Sequence, residues 1–100
     1  MIRGTTPTHI FKLPFDTANL KEVRIFYAQN KKVVLEKNTA DCVMEDNKIT
    51  VKLTQEETLG FLHMEVAEIQ MVVKTIDGTV MATRPWKVHV CDIMNDEVLL

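Results

Sequence analysis

The sequence predicts an all-β domain: an immunoglobulin-like β-sandwich of seven to eight short antiparallel strands with one short helical corner near residues 54–59. Three observations predict it. Short runs alternate apolar and polar residues, as Ile49, Val51 and Leu53 do against Lys48, Thr50 and Lys52. Turn residues break these runs about every 8–12 residues, the spacing of sandwich strands. No segment carries a long helical apolar stripe to compete. A closed barrel is the alternative architecture.

The elements follow in order. Met1–Thr8 is polar, with Gly4 and Pro7, and reads as a loose or lightly pinned arm. His9, Phe11 and Leu13 then share one face of a first strand, which Pro14 stops. Phe15 opens a turn through Asn19. Leu20–Gln29 is the second strand, with Val23, Ile25 and Tyr27 on one face; its β-branched and aromatic content favours strand over helix. A polar turn at Gln29-Asn30-Lys31 leads to a third strand, Lys32–Lys37. Asn38-Thr39-Ala40 breaks the pattern before a short fourth strand, Asp41–Glu45, with Cys42 and Met44 on one side.

Asp46-Asn47 turns the chain into Lys48–Leu53. Thr54 followed by Glu57 has capping-box spacing and starts a helical turn. Gly60 is expected to end it in a left-handed conformation, sending Leu59 and Phe61 inward. This corner is expected to carry the chain from one sheet to the other. Glu65–Ile76 is the longest strand, with Ala67, Ile69, Met71 and Val73 on its apolar face. Asp77-Gly78 predicts a two-residue type I′ hairpin, since both central residues of that turn need positive φ. Thr79–Thr83 pairs back, Pro85 interrupts, and Trp86, Val88 and Val90 resume the alternation on an edge.

One hundred residues make one domain, 1–100, with 1–8 and 95–100 as possible flexible arms. A net charge of −2 argues against nucleic acid as a partner, because polyanion binders need a basic excess. No apolar run approaches a bilayer-spanning length, so no membrane partner is expected. No signal-peptide pattern opens the sequence, and Cys42 and Cys91 read as free, half-buried thiols. The expected location is the cytoplasm during synthesis.

The search for chemistry yields no catalytic residue, cofactor or metal site. Three glycines leave no phosphate cradle, and the absence of serine excludes a serine triad. His89 and Cys91 face the same way, but the four-ligand spacing of structural zinc is missing. Cys42 with His63 is a nucleophile–base pair only if the fold unites them. Glu56 and Glu57 suit the positive end of a helical turn better than a carboxylate dyad. Met64, Met71 and Met81 are candidates to fill core gaps.

Trp86 and Tyr27 are the two large amphipathic aromatics. Together on a surface they are candidate interaction residues for a partner protein or, in the alternative reading, for a sugar in a small carbohydrate-binding module. Val98, Leu99 and Leu100 follow the polar Asn95-Asp96-Glu97 and are the other candidate contacts. They either add as a strand to a neighbouring subunit or fold back on their own domain. Pro14 and Pro85 are expected to protect two edges, leaving Lys32–Lys37 and the segment after Pro85 open.

In order along nine-tenths of the chain, MIRGTTPTHIFKLPFD, VRIFYAQN, KITVKLTQEETLGF and EIQMVVKTIDG resemble short β-sandwich proteins encoded in the tail, baseplate and head–tail regions of phages and prophages of Gram-positive bacteria. LTQEETLGF is the most telling block. The resemblance implies a structural or adaptor role in the virion, without cofactor or turnover. It also implies other phage structural proteins, or further copies of this chain, as partners.

Overall fold

The computed structural model describes residues 1–62 and 65–91. The chain is mostly β, folded into two antiparallel sheets and one short α-helix. The strands are β1 (Thr8–Lys12), β2 (Leu20–Gln29), β3 (Lys32–Asn38), β4 (Cys42–Glu45), β5 (Lys48–Lys52), β6 (Val66–Thr75), β7 (Val80–Ala82) and β8 (Trp86–His89). The smaller sheet has the order β1-β5-β4. The larger has β3-β2-β6-β7, and β8 pairs with β6 beyond β7.

Chain order follows one rule. Neighbours within a sheet are joined by short turns, and each of the three passages between sheets among the described residues runs through a short helical corner. The corners are Thr17–Asn19, Thr39–Asp41 and the helix α1, Gln55–Leu59. Each has a polar N-cap. Asp16 accepts from the Ala18 amide, and Asn38 and Asp41 form a reciprocal box, as Thr54 and Glu57 do at α1. The sequence signal read at Thr54 thus recurs in shorter form at the other two passages. Gly60 departs from expectation: its φ of −71° is right-handed, and its amide donates to the Glu57 and Thr58 carbonyls.

The turns also correct an expectation. Asp77-Gly78 is not a type I′ pair. Only Gly78 has positive φ, 91°, and the loop is three residues long, closed by Thr75 N–H donating to the Thr79 carbonyl (2.9 Å). That is the bulged hairpin in which a left-handed glycine follows a tight turn. Type I′ geometry sits instead between β2 and β3, where Asn30 and Lys31 both take positive φ, 52° and 63°.

The core lies where the sheets face each other. On β2 and β6, Val23 pairs with Val73, Ile25 with Met71 and Tyr27 with Ile69, and all six are buried. From the other sheet come Phe11, Ile49 and Val51, and from the loops Leu13, Leu53 and Phe61. The alternation read from sequence therefore assigns the faces correctly. Of the candidate gap-filling methionines, Met71 is buried, Met81 is exposed, and Met64 lies outside the described residues.

The arm 1–7 is fastened along its length, not loose. Ile2 bridges Cys91 in parallel; the Cys91 amide donates to the Met1 carbonyl (2.8 Å) and the Arg3 amide to the Cys91 carbonyl (2.9 Å). Thr58 is fully buried and donates to the Thr5 carbonyl (2.8 Å), and Arg3 Nη2 donates to the Leu59 carbonyl (3.0 Å). The α1 corner thus holds the arm as well as turning the chain. The second arm, 95–100, lies outside the described residues.

Candidate functional site

Two partly buried polar pairs fasten the layers, one from sheet to sheet and one from sheet to corner. His9 on β1 reaches Tyr27 on β2, with 2.7 Å between Nδ1 and the phenol oxygen. Burial first, and the nearby terminal ammonium second, lower the His9 pKa, which favours the neutral imidazole. Burial drives the Tyr27 phenol well above its ordinary value, with the Cys42 and Glu57 charges adding to it. The second pair is Lys37 Nζ to Glu57 Oε2 at 2.6 Å, which ties β3 to α1. Burial works to raise the Glu57 carboxyl, but the Lys37 pair and the Thr54 hydrogen bonds outweigh it and lower the pKa. Gln29 is a third fastener: its side-chain amide accepts from Leu62 N–H (2.7 Å) and donates to Leu62 C=O (2.9 Å).

Tyr27 is therefore no surface residue. It is fully buried, edge-to-face with Phe61 at 6.0 Å, while Trp86 is 44% exposed. This corrects the expectation that the two share a platform for a sugar or a partner: Tyr27 lies on the core face of β2. Trp86 packs its ring against Phe11 in a tilted arrangement, 5.2 Å between centroids, and stays partly open to solvent. Cys42 is half-buried, and burial pushes its thiol up, the opposite of nucleophile activation. His63, its suggested base, lies outside the described residues, as do Val98, Leu99 and Leu100. Cys91 is an exposed thiol, and among the described residues no three His, Cys, Asp or Glu side chains converge.

The structure brings Trp86 to a groove of about 460 Å³ between the edge of β1 and the edge of β8. Its walls are Thr8 to Lys12 on one side and Trp86 to Val88 on the other, with Ile69 between them. The hydrogen-bond register shows what the β1 wall offers. Leu13 N–H donates to Asn47 C=O and Leu53 N–H to Pro7 C=O, so residues 7, 9, 11 and 13 make the ladder to β5. The N–H and C=O groups of Thr8, Ile10 and Lys12 point the other way, where no described strand pairs with them. On β8 the same argument, from Val90 N–H donating to Glu65 C=O, turns residues 87, 89 and 91 outward. The arm already occupies Cys91, and the Met1 ammonium donates to the His89 carbonyl (2.8 Å), so among the described residues Lys87 is the position with both outward groups unpaired.

The edges differ from expectation. Lys32–Lys37 carries a bulge, since Tyr27 pairs with Leu35 but Ala28 with Val33, and bulges blunt an edge. The segment after Pro85 is partly capped by the arm. Pro14 lies beyond β1 and protects none of its outward groups. β4 and β7 are only four and three residues long. Among the described residues the edge of β1 is thus the longest without a bulge or cover.

Ile10 and Lys12 belong to this site, and sequence reasoning missed them. The one available signal was Ile10, an apolar residue on the polar face of β1, 59% exposed. A second concavity of about 450 Å³ lies by the β6–β7 hairpin, lined by Phe15, Ile76 and Met81 among others. Among the described residues no helix is long and apolar enough to cross a membrane. Comparison with protein-family models, curated proteins and solved structures finds no match to the chain.

Proposed function

We propose that the protein is a non-enzymatic structural or adaptor component of a phage or prophage particle, of the tail or baseplate region, acting through protein–protein contacts. The observation that carries this reading is the β1 edge, which no strand among the described residues pairs with, with exposed Ile10 and Trp86 beside it. A monomer that works alone keeps such an edge short, bulged or covered. The resemblance of four sequence stretches to phage tail and baseplate proteins supplies the context. The first, MIRGTTPTHIFKLPFD, spans the arm and this edge. The partners are other phage structural proteins or further copies of the chain, and the location after assembly is the virion.

An immunoglobulin-like sandwich is the architecture this reading takes for the component, and the two antiparallel layers support it. Its strand order differs at one place. Here β2 lies between β3 and β6, whereas immunoglobulin domains set the second strand beside the fifth. The test is the protein content of particles purified from the host strain after prophage induction. The protein is expected in fixed ratio to the tail proteins; its absence from intact particles refutes the assignment.

A further inference from the structure

We propose that the β1 edge binds an extended strand of a partner protein whose side chains alternate between apolar groups and carboxylates. This rests on the reading of the chain as a contact-making component and names the chemistry of its partner. The backbone argument is geometric. Thr8, Ile10 and Lys12 present three outward N–H and three outward C=O groups at two-residue intervals, the pattern that one added strand satisfies. Side chains of that strand pointing inward meet Trp86 and Ile69, which accounts for the apolar half of the alternation.

Charge accounts for the other half. Lys12 lies directly opposite Lys48 in a pair without mutual hydrogen bonds, the closer of the two antiparallel spacings. Like charges so placed repel. Lys52 stands opposite Thr8 on the same face, and Lys87 projects from the facing edge. Among the described residues no Asp or Glu lines the groove; Glu45, across from Lys48 on β4, lies a strand further away. A carboxylate next to Lys12 relieves an existing repulsion. The same argument disfavours pairing of two β1 edges from two copies, which adds lysine to lysine. The arm at Cys91 marks one end of the groove, so the added strand runs beside β1 and Lys87.

The experiment uses the full chain and two end-blocked synthetic peptides, EVEVEVE and KVKVKVK. Saturable binding of the acidic peptide is expected, with amide shifts centred on Thr8, Ile10 and Lys12 in two-dimensional NMR. The basic peptide should bind at least about tenfold more weakly, because like charges are excluded at a strand edge. Ile10→Pro removes one outward N–H without touching the β5 ladder, and should abolish binding with the melting temperature monitored. Lys12→Glu with Lys48→Glu should reverse the preference between peptides and decides the matter if the proline variant fails to fold. Equal affinity for both peptides, no binding, or shifts confined to other edges overturns the proposal. Absence from particles with peptide binding intact refutes the particle reading alone; presence in particles without peptide binding refutes this inference alone.

Discussion

Replacing Phe61 with alanine tests the corner on which the two-sheet arrangement turns. The ring is 2% exposed and meets Tyr27 edge-on at 6.0 Å, with ring planes at 68°. Tyr27 in turn holds His9, so the ring supports a contact between the sheets. Truncation removes the transfer free energy of the ring and leaves a cavity, together about 3–5 kcal/mol. An aromatic pair adds about 0.5–1.5 kcal/mol beyond area, which favours the upper half of that range. Domains of this size are stable by about 5–15 kcal/mol, so the loss is a large fraction of the whole. The assay is urea unfolding at equilibrium, with Phe26→Ala as internal control. Phe26 lies on the opposite face of β2 and is only partly buried, so its truncation should cost less. If Phe61→Ala unfolds within about 1 kcal/mol of the parent, the typical effect of an arbitrary substitution, the corner does not plug the core and the packing argument fails.

Three further outcomes are expected. Thr54→Ala loses the hydrogen bond its hydroxyl accepts from Glu57 N–H (3.1 Å) and should cost about 1 kcal/mol in the same urea assay. Gly78→Val should lower stability by about 1–2 kcal/mol; no atom lies within 4 Å of an added Cβ, so the cost is that of a β-branched residue at φ 91°, and an unchanged melting temperature refutes the turn. Glu57 has a lowered pKa, so its contribution is full above the ordinary carboxylate value of about 4.3 and is lost as pH falls through its folded value. The stability gap between the parent and Glu57→Gln should therefore be constant near neutrality and shrink in acid, measured by urea melts from about pH 7 to about pH 3; a pH-independent gap contradicts the Lys37–Glu57 pair.

What was legible in the sequence was local. Val23, Ile25 and Tyr27, and Ala67 through Val73, announce their buried face by period-two alternation, because a strand with one buried face leaves no other choice. Thr54 and Glu57 announce a cap because the box is satisfied within four residues. The turn at Asp77-Gly78 was legible in place but not in type. The dipeptide needs positive φ only at glycine, and Thr75 and Asp77 side chains supply the remaining hydrogen bonds. Burial of Tyr27 was implicit in its place on the β2 core face, yet its hydroxyl needed a partner, His9, eighteen residues away in sequence. The open edge was hidden for a similar reason. Which carbonyls of β1 face outward depends on its register with β5, and the Lys12–Lys48 juxtaposition exists only once that register is set.

Amide hydrogen exchange of the isolated protein, followed residue by residue, tests the central claim of an open β1 edge most directly. His9, Phe11 and Leu13 donate to β5 and should be protected, while Thr8, Ile10 and Lys12 should exchange at rates near those of an unstructured chain. Alternation between fast and slow along these six residues is the predicted result. Slow exchange at Ile10 and Lys12 as well as at Phe11 would contradict it, because the edge would already be paired.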